Sequence, residues 1–278
     1  MASRKWLRAA TAAAMLILAS TTPQAGPVAA NCYAASGLVS PKTRDTTVGI
    51  VDASTALTAL QKQQTRELLA NQLRPGSTLV VYTFARGPGQ ETVQRLGTFA
   101  IPMLIDDPWK VTTEKTLAVN NCVSNAMIEI RAAAVKAIDS AIDSYTYAPD
   151  GESPVVQAIT QVVASHPTAG QFIVITDGLQ HQAGYSLYDT NAARGPQTLK
   201  KIDPRRELEG LARLGTPAMT RAMRISMFPI GQMEPGADGK IAQRRLASEV
   251  DAMIQLWNLL LGRAGAGQVS VTSFVPGE

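Results

Sequence analysis

Thr46 to Ala56, TTVGIVDASTA, carries an apolar run, Val48-Gly49-Ile50-Val51, that stops at an acid and a hydroxyl, Asp52 and Ser54. A strand covered by helices on both faces reads this way, apolar throughout and without polar alternation, so the run points to a buried parallel strand in an α/β sheet. In open α/β sheets ligands gather where such strands end, which makes Asp52 and Ser54 candidate functional residues. Gln171 to Gly178, QFIVITDG, has the same form and ends in Asp177. Two strands that finish in carboxylates predict one shared crevice.

The rest of the chain supplies a sheet around them. Leu57, Leu60, Leu68, Leu69 and Leu73 recur at helical spacing until Arg74-Pro75-Gly76, and Ser77 to Ala85 (STLVVYTFA) is a second apolar strand. Strand, helix and strand together predict a right-handed parallel crossover. The turn Arg86 to Gln90 (RGPGQ) is too short for another crossover, so Glu91 to Met103 reads as an antiparallel strand at the sheet edge. Leu104 to Asn121 lacks a period and reads as a loop. In Ser124 to Tyr147, Ile128, Val135, Ile138, Ile142 and Tyr145 trace one helical face; Val155, Val156, Ile159, Val162 and Val163 mark a further helix, with Ser153 and Pro154 at its start.

After Asp177, residues 179–204 have no period, and long segments of that kind in compact domains are usually functional or disordered. A short helix (Arg205 to Leu214), a strand (Met223 to Gly231), a helix with Leu246, Val250, Met253, Ile254, Trp257 and Leu261 inward, and a strand from Gln268 to Val275 complete the chain. The sum is an α/β fold: a doubly wound, mostly parallel six-stranded sheet of order 3-2-1-4-5-6, one antiparallel edge strand, and helices on both faces. Residues 31–278 form a single domain with an inserted loop at about 179–204.

The first 30 residues read differently. Arg4, Lys5 and Arg8 precede a short apolar run, AATAAAMLILA, and the stretch ends on small residues, which describes a secretory signal cleaved after Ala30. That leader takes three of the 26 Lys and Arg and none of the 22 Asp and Glu, so the formal charge of +4 falls to +1. No basic excess remains to argue for nucleic acid. No other stretch reads as a membrane span, and the expected location is periplasmic or secreted. In such a compartment Cys32 and Cys122 invite pairing, with two buried free thiols as the alternative. A bridge would close a 90-residue loop, for which the chain-entropy model gives roughly 4 to 5 kcal/mol.

Asp52-Ala53-Ser54-Thr55-Ala56, Gly151-Glu152-Ser153-Pro154 and Ile175-Thr176-Asp177-Gly178 come in the order and strand context of the von Willebrand factor A domain, which nearly the whole chain after residue 46 resembles. The resemblance implies a metal-ion-dependent adhesion site that holds Mg2+ and lets a partner's acidic group complete the metal's shell. Asp52 and Ser54 match the first two positions of the family's Asp-x-Ser-x-Ser, Ser153 stands for its threonine, and Asp177 matches its last aspartate. Ala56 departs from the third position of the first motif and removes one oxygen, for which a water, Asp150 or Glu152 would have to substitute. Mg2+ takes six hard oxygens and keeps several waters, so few carboxylates and hydroxyls are needed.

Other roles fit the same residues. Ser54 or Thr55 could cap the first helix, Ser153 could cap its own, and Asp177-Gly178 is a turn dipeptide. His166 and His181 have no ligand-spaced neighbours, and His181 either lies on the surface or lines the crevice. Tyr185 and Tyr188 are candidate anchors for a protein partner. The expected function is a non-catalytic binding module; the alternatives are a metal-free structural component of a cell-envelope or secretion assembly and, behind it, a metal-assisted hydrolase. The sequence has no Asp-x-Asp after the first strand, no phosphate-cradling Gly-x-x-x-x-Gly-Lys and no Gly-x-Ser-x-Gly elbow to support the last.

Overall fold

A computed structural model describes residues 27–84, 93–107, 111–144, 153–182, 184–188, 200–231 and 246–274. The leader before residue 27, the RGPGQ turn, Tyr145, Asp150, Glu152, the tip of the inserted segment and the start of the last expected helix lie outside these residues. The strands are β1 (Asp45–Asp52), β2 (Ser77–Phe84), β3 (Val93–Ala100), β4 (Gln171–Ile175), the two-residue β5 (His181–Gln182) and β6 (Tyr185–Ser186), β7 (Arg224–Phe228) and β8 (Gln268–Val271). Six of them form one sheet in the order β3-β2-β1-β4-β7-β8, and β5 and β6 pair as a separate hairpin. Counting the six sheet strands along the chain, this is the expected 3-2-1-4-5-6. All neighbours are parallel except β2 and β3, whose register shifts between Val81 and Tyr82.

Side-chain alternation divides the sheet into two cores despite its uniformly apolar sequence. Val48, Ile50, Val80, Phe172, Val174 and Met227 pack on one face with α4 (Val155–Ser165), α5 (Pro204–Leu214) and α6 (Ala247–Arg263). Val51, Leu79, Val81, Ile173 and Ile175 pack on the other with α1 (Pro27–Ala35), α2 (Ala59–Ala70) and α3 (Thr113–Asp143). With both faces covered, the middle of an interior strand is apolar on both sides, as in Val48-Gly49-Ile50-Val51 and Phe172-Ile173-Val174-Ile175, which is why no alternation survives there.

Three expectations need correction. The loop read at 104–121 ends at Thr112, whose hydroxyl caps α3, a helix of 31 residues. Its inward row is Val119, Val123, Ala126, Ile130, Ala134 and Ile138, so Ile128 faces out at 68% exposure. Leu246 precedes α6 and is also exposed, whereas Met253, Trp257 and Leu261 are buried as expected. Finally, Ser153 does not cap α4: Pro154 occupies the cap position with no side-chain bond, and the Oε1 of Gln180, reaching across from beyond β4, accepts from the Val156 N–H at 2.9 Å.

Cys32 and Cys122 are bonded, tying α1 to the N-terminal third of α3 with their Cα atoms 5.6 Å apart. Tyr33, also buried, donates its hydroxyl to the Met103 carbonyl. Helix α1 runs through the expected cleavage point after Ala30, and cleavage there would leave both anchoring residues, Cys32 and Tyr33, on the mature chain. Among the described residues no helix is long and apolar enough to cross a membrane.

Candidate functional site

Winding of the sheet reverses between β1 and β4, whose register aligns Val51 with Ile175. The next residue on each strand is therefore polar and meets its counterpart at the crevice: Asp52 beside Thr176. Asp52 is 2% exposed, and both its oxygens accept hydrogen bonds from the protein. Its Oδ1 accepts from the Ser54 N–H at 2.9 Å and the Ser54 hydroxyl at 2.5 Å. Its Oδ2 accepts from the Ser153 hydroxyl at 3.0 Å and the Thr176 hydroxyl at 2.8 Å. Three segments far apart in sequence thus converge on one carboxylate.

Burial raises the pKa of Asp52; the bonds from Ser54, Thr176 and Ser153 pull it down but do not cancel the loss of solvent. A carboxyl whose folded value is raised binds its proton more readily in the native state than in the unfolded chain. Its contribution is complete below the ordinary 3.8 and is lost as pH rises through the elevated folded value. In chelator, the stability of the protein relative to Asp52→Asn should therefore fall from acid to neutral pH and then level off, as read by urea unfolding. A relative stability that grows with pH would mean that the folded value is depressed instead.

Asp177 follows one residue beyond Thr176 and is equally buried. Its backbone N–H donates to the Thr55 hydroxyl at 3.0 Å, its carbonyl accepts from Gly231 at 2.8 Å, and its Oδ1 accepts from the Leu179 N–H at 2.9 Å. The turn it opens requires glycine next. Gly178 has φ of 77°, and a Cβ there would stand 2.8 Å from Trp257 Nε1 and 2.9 Å from Ile230 Cδ1. Trp257, fully buried on α6, donates that indole N–H to the Gly178 carbonyl at 3.0 Å. Asp177-Gly178 is thus a turn, and the Thr55 bond holds its backbone beside the loop that follows β1. Neither Ser54 nor Thr55 caps α2, a role that Thr58 fills with Gln61 in a reciprocal capping box.

Thr176 and Thr55, which lie inside the motifs without a site role there, and Gln180 complete the network. A hydroxyl directly before the acid at a strand end was the available signal for Thr176; nothing local marked Gln180, whose partner lies 24 residues away.

The β5–β6 hairpin is joined to the crevice by backbone. Ser153 and His181 exchange hydrogen bonds of 2.7 and 3.0 Å, so His181 stands beside the site. Tyr185 and Tyr188 are half-buried rather than protruding. The Tyr185 ring packs where a side chain on Gly210 would be, and its hydroxyl donates to Glu207 Oε2 at 2.7 Å. Burial, and then Glu207, raises the pKa of that phenol. Tyr188 meets His181 edge to face, with centroids 5.5 Å apart. His166 is remote, at the other end of α4, where its Nε2 lies 2.9 Å from the Tyr82 hydroxyl and burial, then Arg95, lowers its pKa.

Among the described residues no three His, Cys, Asp or Glu gather closely enough to hold a metal by themselves. A cation here would rest on Asp52, Asp177 and hydroxyls, a set of hard oxygens that fits Mg2+ and does not fit a softer metal. Ser54 and Ser153 give their protons to Asp52, which leaves lone pairs on both hydroxyl oxygens.

The chain matches no protein-family model and no curated protein. Among solved structures it is similar to an aerotolerance-related membrane protein from Bacteroides fragilis NCTC 9343 with multiple mutations to serines. The two are 12% identical with a TM-score of 0.34, over 82% of this chain and 92% of that one.

Proposed function

We propose that the protein is an exported, non-catalytic binding module that engages a protein partner through the crevice at the carboxyl ends of β1 and β4, with Mg2+ held there. The observation that carries the proposal is the meeting of the Ser54 and Ser153 hydroxyls on opposite oxygens of the buried Asp52, from which Ser153 is separated by 101 positions in the chain. Resemblance of the three motifs to a metal-ion-dependent adhesion site supports the same assignment. Ser54, Ser153, Asp52 and Asp177 would hold the ion. Once bound, Mg2+ supplies a coordination position for an acidic group of the partner, and the chain's own part is to fix the hydroxyls and keep the carboxylate charge paired. The leader-like N-terminus and the disulfide support export to the periplasm or beyond.

A second reading, a metal-free structural component of a cell-envelope or secretion assembly, is favoured by Ala56 and by the four donors already satisfying Asp52. Mg2+ titration separates the two. At about a hundredfold excess over its Kd, a site-bound ion stabilises the native state by about 2.7 kcal/mol, a rise in Tm of about 5 to 10 °C for a domain this size. Ser153→Ala and Asp177→Asn should each reduce that rise. If Mg2+ leaves the Tm of the native protein unchanged, the metal-free reading stands.

A further inference from the structure

A cavity of about 510 Å³ opens on the β5–β6 hairpin, lined by His181, Tyr185, Ser186, Tyr188 and Lys200 among others. Its polar groups are held in place before any ligand arrives. Ser186 Oγ accepts from the Tyr188 N–H at 3.0 Å, so its own proton is available for His181 Nδ1, 2.9 Å away. With Ser186 donating to Nδ1, the imidazole keeps its N–H at Nε2 and is a donor there. Lys200 Nζ is fixed 2.8 Å from Glu207 Oε2 and 4.5 Å above the Tyr185 ring, and Glu207 takes only one of its three protons.

The surroundings favour one sign of ligand. From Lys200 to Glu207 the chain carries Lys200, Lys201, Arg205 and Arg206 against Asp203 and Glu207. Asp203 is engaged in capping α5, accepting from the Arg205 and Arg206 N–H groups, and Glu207 in holding Lys200 and Tyr185. The cations at Lys201, Arg205 and Arg206 are exposed.

We infer that this cavity is a carboxylate subsite for an acidic segment of the partner protein, with Lys200 and His181 donating to the carboxylate oxygens and Tyr188 taking the adjoining aliphatic part. Held donors aimed at one charged group give both affinity and selection between acid and amide. The subsite rests on the reading of this face as a protein-binding surface but needs no metal. The Ser153–His181 backbone pair places it next to the Asp52 crevice, so one partner segment can occupy both.

The test uses N-acetylglutamic acid amide and its uncharged isostere N-acetylglutamine amide, each titrated into the isotope-labelled protein in chelator and followed by NMR. The acid should bind about tenfold more tightly than the amide, with shifts centred on His181, Tyr188 and Lys200, and lose affinity with added salt. Lys200→Met should reduce the acid to the level of the amide. Glu207→Gln gives the sharper readout: it removes the counter-charge while keeping an acceptor for Tyr185 and Lys200, so acid binding should tighten several-fold, whereas a purely structural cluster would bind more weakly. Equal affinities for the two probes, shifts elsewhere, or weakening in Glu207→Gln would overturn the inference. Mg2+ stabilisation should be unchanged in Lys200→Met, so loss of the metal effect and loss of this subsite are read separately.

Discussion

Asp52→Ala is expected to lower stability by about 3 to 5 kcal/mol, because it strips the acceptor from the half-buried Ser54 N–H and hydroxyl and from the buried Ser153 and Thr176 hydroxyls at once. Each stranded donor costs about 1 to 3 kcal/mol, and hydroxyls that can rotate recover part of it. Asp52→Asn should cost less, about 1 to 2 kcal/mol, since the amide oxygen still accepts and the hydroxyls of Ser153 and Thr176 can reverse to accept from its NH2. Urea unfolding at neutral pH in chelator measures both. The loss should also loosen residues that do not touch Asp52, because Thr176 leads directly into the Asp177-Gly178 turn under Trp257. An alanine variant within about 1 kcal/mol of the native protein would mean that these segments do not depend on the carboxylate.

Cys32→Ser with Cys122→Ser is expected to cost about 2 to 5 kcal/mol. The bridge closes 90 residues that include β1, α2, β2 and β3, so the unfolded chain loses much freedom when it is present. Its removal also takes away the cross-link between α1 and α3, leaving packing and the Tyr33 bond to the Met103 carbonyl to hold the helix in place. Cys32 is buried in α1 whereas Cys122 lies exposed on α3, so the expected signature is a lower Tm together with faster amide exchange confined first to residues 31–35. Unchanged Tm in the double variant would show that the bridge adds nothing to the packing of α1.

Sheet order and the two acids were legible because their signals are local and redundant. The interior strands β1, β2 and β4 each carry an unbroken apolar run, and the two acids follow two of those runs. Helix α3 is longer than its apolar pattern suggests for a physical reason. Its inward row alternates large residues with Ala126, Ala134 and Ala141, and a reading led by large apolar side chains placed Ile128 inward and missed the first three turns. The polar Asn120 there serves the helix from outside, its side chain bonding both the N–H and the carbonyl of Ile105. At the site, Asp52, Ser54, Ser153 and Asp177 were named from motif spacing, whereas Thr176, Thr55 and Gln180 act across distances that spacing does not encode. Tyr185 is the instructive case. Its position in an aperiodic segment suggested an exposed anchor, but the absence of a side chain at Gly210 lets its ring pack inward and become a cavity wall.

Anomalous diffraction from crystals grown with Mn2+ in place of Mg2+ tests the central assignment most directly. A single anomalous peak within coordination distance of the Ser54 and Ser153 hydroxyls, with both strand-end carboxylates turned toward it, is the predicted result. No peak at saturating Mn2+, or Asp52 and Asp177 directed into separate pockets, would contradict it.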